Sequence, residues 1–429
     1  MRILIEKADC LIYEDNDFNF KNSDVCIDGD LIVSVGKIPE SFSAEGVIDG
    51  RGKLLIPGLI NAHTHAYMTI FRNSADDLMF NDWLFGRILP MEDKLEDGDS
   101  YWGTMLGICE MIRTGTTCYL DMYIKGDENA RAVCESGIRA VLSRGLVGKG
   151  NDKDGAMRLR EAVDEISRWN GKGNGRLSFM LAPHAPYTCD PDYIKIVMQS
   201  AKELGIGINT HLSEGRVEIK EIYEKYGCSP IKLIEKTGMF SLKTVAAHCV
   251  HLSDEDIEIL AENKVSVATN PVSNLKLANG VAPVPKLLKA GVNVCLGTDG
   301  AASNNTLNLF RELSMLTLIH KGVNEDSQAV SAKEGIKIAT VNGAAALGLD
   351  GIGQIKVGMK ADLALIDLNA VNMVPNNNPV AALAYSANGS EVQTVIVNGE
   401  ILMENRELKG IDEERIRYEV AGIAKRIGA

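Results

Sequence analysis

Several things are missing from this sequence. No apolar run approaches the roughly 18 residues that a membrane-spanning helix requires. The first stretch, MRILIEKADCLIYEDNDF, lacks the apolar core of a secretory signal. Basic residues are outnumbered, 45 against 58 acidic ones, for a net charge of −13. That balance excludes nucleic acid and anionic membrane as partners. No CxxC pair occurs among the nine cysteines, an odd number, so neither a zinc ribbon nor a disulfide framework is expected. Free thiols in apolar runs such as VCLGTD fit the core of a protein in a reducing compartment. The expected location is the cytoplasm and the expected partner is a small molecule, with homo-oligomerisation left open. There are no repeats, low-complexity tracts or flexible linkers.

What is present is an ordinary globular mix, 45% apolar and 24% charged, in 429 residues. Up to about residue 54 the chain reads as short strands separated by DGD and DGRG turns. Eight β-rich runs then alternate with amphipathic segments such as MRLREAVDEISRWN and PDYIKIVMQSAKELG. The runs are LLIPGLINAHTHA and residues 116–123, 139–148, 177–187, 207–215, 244–252, 266–274 and 293–303. Eight strands alternating with helices predict an α/β fold, a (β/α)8 TIM-like barrel. Beyond about 342, GIGQIKVGMKADLALIDL and EVQTVIVNGEILMENREL turn strand-like again. The predicted domains are a barrel over 55–342 and a small β-sandwich built from 1–54 and 343–429.

Histidine is scarce, seven in all, yet two stand one residue apart in PGLINAHTH. Chemically capable residues recur where these runs end: His63 and His65, His184, His211 with Glu214, His248 and His251, then Asp299. In a barrel that end is the catalytic face. Residues i and i+2 of a strand share a side, so His63 and His65 can hold one ion. His211 adds a third nitrogen and Asp299 an oxygen, a set suited to Zn2+, with Fe2+ as the alternative. The strand-four motif APHAPY has no lysine to become a bridging carbamate, which favours one metal over two. Blander readings exist: Asp299 as a helix cap, Glu214 as a dipole partner, His251 as structural and His320, in LTLIHKG, as a packing or surface residue.

Taken together, PGLINAHTH, APHAPY, THLSE, AAHCVHL, NPVSNLKLANG and LGTDGAASNN resemble the amidohydrolase superfamily, over nearly all of the barrel. Within it the chain is most similar to the 5-methylthioadenosine/S-adenosylhomocysteine deaminases. The resemblance implies metal ligands His63, His65, His211 and Asp299. It implies substrate contacts at Glu92, Arg144 and His184, with Glu214 and His248 at the reacting purine edge. Trp83 and Ser303 are further candidates for the substrate cavity, and Arg158 or Arg160 for a second tail contact. The implied reaction is hydrolytic deamination of an adenosine derivative. Asp299 would shuttle a proton, His248 orient the attacking water, and Glu214 protonate the ring. Glu92 would accept the ribose hydroxyls and Arg144 a tail carboxylate, while residues 76–92 would form a lid. The alternatives are a relative acting on adenosine, 5′-deoxyadenosine, guanine, cytosine or an s-triazine, or a barrel that binds without catalysis.

Overall fold

The short β-rich runs fold into parallel strands that follow one another round a closed ring. The computed structural model describes residues 1–429. Its ring strands are Leu59–Thr64, Thr116–Tyr123, Arg139–Leu146, Leu177–Phe179 with Ala182–Pro183, Ile208–Leu212, Thr244–His248, Ser266–Thr269 and Asn293–Leu296. Each pairs with its neighbour in sequence. Backbone bonds from Leu181 N to Gly207 O and Asn209 N to Leu181 O join the fourth strand to the fifth, at 3.1 and 2.9 Å. Thr298 N and Asp299 N both donate to His63 O, at 3.1 and 3.0 Å, and close the eighth onto the first.

The barrel's interior is packed. Ile60, Cys118, Val141, Met180, Val245, Ala268 and Cys295 form one buried cluster. Side chains from strands on opposite sides of a ring can meet only inside it. Leu347 and Ile352 join the same cluster from the segment after the eighth strand.

Local chemistry sets the helices that cover the strands. Pro191–Leu204 starts where Asp190 accepts from Tyr193 N, with proline in its first turn, and stops at Gly205 in the left-handed region, φ 67°. Its buried residues, Tyr193, Ile194, Val197, Met198 and Ala201, make one apolar stripe. No helix is long and apolar enough to cross a membrane.

Both ends of the chain contribute to a single nine-stranded sheet. Lys53–Pro57 runs antiparallel to Leu363–Asp367 and parallel to Arg2–Glu14. Alternation along each strand then divides its side chains. Leu55, Leu363, Leu365 and Ile396 join a core private to the sheet. Leu54, Ile56, Ala364, Ile366 and Val395 join the large core shared with the barrel helices. The expected sandwich is therefore one sheet that bends round on itself. Its Leu31–Gly36 strand meets the chain ahead of Leu363, with Ile32 N donating to Met359 O at 2.8 Å.

The chain passes from sheet to barrel at Gly58, where a Cβ would lie 2.0 Å from Thr117 Oγ1. Only glycine fits so close an approach. A buried ion pair, Arg139 Nε to Asp362 Oδ2 at 2.6 Å, ties the third barrel strand to the sheet. The division into 1–54, 55–342 and 343–429 stays a proposal. The helix Val341–Leu347 straddles its second boundary, and Asn342 Nδ2 donates to Val294 O of the eighth strand at 2.8 Å.

Candidate active site at the barrel mouth

Parallel strands end together, so the residues at their C-terminal ends share one mouth. His63 is buried, and neither of its ring nitrogens has a hydrogen-bond partner. His65 and His211 each use Nδ1 on a carbonyl, Met122 O and His184 O, both at 2.8 Å. A carbonyl only accepts, so each ring carries its proton on Nδ1 and offers a bare lone pair at Nε2. Those two Nε2 atoms lie 3.3 Å apart. Asp299 Oδ1 stands 3.5 Å from His63 Nε2 and 3.4 Å from His65 Nε2.

Lone pairs facing each other at this distance repel unless a cation lies between them. The edge of a tetrahedron with zinc-like bonds is about 3.3 Å, which matches this spacing. The carbonyls behind the rings are the usual outer support of histidine ligands. The residues present therefore fit a divalent metal. Burial holds His63 down to about 4 and holds His211 well below its ordinary value, so both stay neutral and able to ligate. Burial opposes the Asp299 charge, but the close approach of His63 Nε2 and the nearby histidines outweigh it and keep the carboxyl well below its usual range. Hydroxyls of Ser273 and Ser303 donate to Asp299 Oδ2 at 2.7 and 2.8 Å.

His248 and Glu214 sit beside this cluster. His248 Nε2 is 3.8 Å from Glu214 Oε2, and its Nδ1 bonds Asn274 Oδ1 at 2.8 Å. Burial lowers His248, but the Glu214 and Asp299 carboxyls outweigh it and the net shift is upward. Glu214 is raised by burial, against the pull of His248. His248 and Asp299 occupy the left-handed region, φ 72° and 61°, strained for residues with a Cβ. In each the strand ends and the side chain turns into the mouth.

The mouth opens into a cavity of about 310 Å³. His65, His184, His211, Glu214, His248 and Asp299 line one part of it. Glu92, raised by burial to about 7 and lying beside Tyr67, lines another. Phe80, Leu84, Phe85 and Leu89 cover it, with Trp83, whose Nε1 donates to Ala302 O at 3.3 Å. These come from a helical run, Phe80–Trp83, Leu84–Ile88 and Leu89–Glu92, whose middle is a π turn. Pro90 has no N–H to give and so cannot close an α turn there. Ser303 reaches the cavity too, through its bond to Asp299.

The structure departs from expectation at Arg144. It does not line the cavity. It faces a separate surface depression, with Nη1 on Glu165 Oε1 at 2.7 Å and Nη2 on Glu161 Oε2 at 2.6 Å. Arg158 and Arg160 do not line the cavity either; Arg158 donates to Val147 O at 3.1 Å and Arg160 is exposed. His251 lies off the cavity, and His320 is buried in the helix Leu309–Asn324. Sequence reasoning missed Ser273, Asn274 and Asn279, although NPVSNLKLANG contains all three. It also missed Glu218, a buried carboxyl that accepts from Ser213 N and Glu214 N at 3.0 and 2.8 Å. Its position four residues after Glu214, on the next helix, was the available signal.

The chain belongs to the amidohydrolase family, whose model matches residues 54–402. Among its curated relatives is the 5-methylthioadenosine/S-adenosylhomocysteine deaminase of Caldanaerobacter subterraneus subsp. tengcongensis, 49% identical over 98% of this chain and 97% of that one. The protein of the same name from Acetivibrio thermocellus is 48% identical over 100% of both. Two solved structures are also similar. One is an adenosine deaminase from Xanthomonas campestris with bound zinc, TM-score 0.94, 31% identical, covering 99% of this chain and 98% of that one. The other is an atrazine chlorohydrolase from Arthrobacter aurescens complexed with zinc, TM-score 0.91, 26% identical, covering 98% of this chain and 100% of that one.

Proposed function

We propose that this protein hydrolyses the exocyclic amine of an adenosine derivative. 5′-Methylthioadenosine and S-adenosylhomocysteine are the substrates, and the products are the inosyl compound and ammonia. The observation that carries the reading is the pair of bare Nε2 lone pairs beside Glu214, a buried carboxyl raised toward its neutral form. The names of the relatives support the substrate class. His63, His65, His211 and Asp299 would hold one divalent metal, zinc on the precedent of the solved neighbours.

Such an ion, when bound, lowers the pKa of water toward 7. The chain's own groups do the rest. Asp299 takes a proton from the attacking water and passes it to the departing amine. The two serine hydroxyls on Oδ2 hold its carboxyl plane. His248, fixed through Asn274, orients the water. Attack at C6 drives electrons onto ring N1, and Glu214 supplies the proton that receives them. His184 lines the same part of the cavity as His211 and contacts the purine. Glu92, once ionised, accepts the ribose hydroxyls, and Trp83 with its lid neighbours covers the nucleoside.

No lysine or arginine lines the cavity. That favours the uncharged methylthio tail over the homocysteine tail. The deciding experiment is turnover of both compounds by purified protein, read as released ammonia and as the adenine-to-hypoxanthine absorbance change. If neither compound is converted by metal-loaded protein, the reading fails.

A further inference from the structure

One short segment reaches the three groups assigned to moving protons and orienting water, Asp299, His248 and Glu214. It runs from Asn270 through the helix Pro271–Lys276 to Gly280. Ser273 Oγ donates to Asp299 Oδ2 at 2.7 Å, and Asn274 Oδ1 meets His248 Nδ1 at 2.8 Å. Asn279 Nδ2 donates to Glu214 Oε1 at 2.9 Å. All three side chains are buried. The last two are locked together, because Asn279 N donates to Asn274 O at 2.8 Å. The turn that carries Asn279 has left-handed backbone on either side of it, at Ala278 and Gly280, φ 56° and 119°.

We propose that Asn279 is a positioning residue that decides which oxygen of Glu214 delivers the proton. This rests on the reading of Glu214 as the ring's proton donor. An amide N–H can only donate, so Oε1 must accept. In the neutral acid the carbonyl oxygen is the better acceptor, and the hydroxyl then belongs to Oε2. Oε2 is the oxygen turned toward His248 Nε2, 3.8 Å away. Glu218 fixes the backbone of the same loop through Ser213 N and Glu214 N. Asn279 fixes the rotation of the carboxyl plane.

The bond also changes during the step. The Oε2–H bond breaks and an N1–H bond forms, while the electron pair of the O–H stays on the carboxylate. Half of that charge appears on Oε1, already facing an N–H. Hydrogen bonds to an ionised acceptor are the stronger kind, so the contact tightens as the proton leaves. Asn279 therefore favours the donated state over the resting one.

The test is kinetic, with 5′-methylthioadenosine as substrate. Asn279→Asp keeps the size and the turn but sets an acceptor against Oε1. Asn279→Ala removes the group. Both should lose kcat by roughly tenfold or more, KM should stay within about threefold, and metal content should match the unmodified protein. Asn279→Asp retaining at least half of the original kcat, or losses confined to KM, overturns the proposal. If the alanine variant does not fold, Asn279→Ser is read in the same way. Glu214→Gln is measured in parallel. Near-normal turnover there removes Glu214 as donor; an inactive Glu214→Gln with an active Asn279→Asp removes only the role of Asn279.

Discussion

Desolvation raises two glutamates at the mouth, buried Glu214 and half-buried Glu92, and the proposed reaction puts them to opposite uses. In the proposed reaction Glu214 acts as an acid, so its upward shift serves it directly. Glu214→Gln should keep the metal yet lower kcat by about 10² or more, with metal content and turnover measured on one preparation. As the proposed acceptor of the ribose hydroxyls, Glu92 is needed as a carboxylate but is raised from 4.5 to about 7. Activity on ribose-bearing substrates should therefore climb as pH rises through about 7, and Glu92→Gln should lose that limb. The folded state keeps a proton on Glu92 that the unfolded chain has released, so Glu92 costs stability as pH rises between those two values. Urea denaturation should find Glu92→Gln more stable than the original at pH 8 and equal to it near pH 4. Arg144 has a structural duty: it neutralises the buried Glu165, which also accepts from Tyr123 Oη at 3.0 Å. Arg144→Ala should lower unfolding free energy by about 3 kcal/mol, because a buried carboxylate is left unpaired. An unchanged denaturation midpoint would contradict that.

The run 79–92 is unusual for how much apolar surface it leaves uncovered. Phe85 is 54% and Met79 75% exposed, above a cavity that Phe85 helps to line. A nucleoside in the cavity would cover part of that surface, which makes the run a contributor to binding. Phe85→Ala should raise KM about fivefold and leave kcat within twofold, measured with saturating metal. Elements like this also mark what a sequence can and cannot disclose. The strand ends were legible because histidine is rare and the spacing of PGLINAHTH, THLSE and LGTDGAASNN repeats a barrel's rhythm. The segment that covers the cavity was legible as a segment, though its π turn was not. The orientation of Arg144 was illegible, since Glu161 and Glu165 come from the next helix and a cation gives no sign in sequence of which anion it will face. Asn279 was illegible for a similar reason: an asparagine before glycine reads first as a turn former.

For the molecule as a whole, a bound metal would also be a fastener. It would join the first, fifth and eighth strands, so a ligand bound only to the folded state raises stability by mass action. Chelation should abolish turnover and lower the melting temperature together, and added zinc should restore both; a lost activity with an unmoved transition would contradict the fit of the site. The barrel order and the two-ended sheet were legible from alternating patterns and NG and DG turns. The bend that makes one sheet do the work of a sandwich was not, because it rests on pairing between Ile32 and Met359, far apart in the chain. That same separation governs how the protein comes into being. Thr64 and Asp299, in contact across the closing seam of the ring, are 235 residues apart, and Lys53–Pro57 waits for Leu363–Asp367 before it has a partner on that side. During synthesis His63 and His65 therefore leave the ribosome long before the carboxylate that completes their cluster. An ion held by all four groups would be acquired only near the end of translation or after it, when the last strands arrive, and until then a half-built barrel would stand exposed to aggregation.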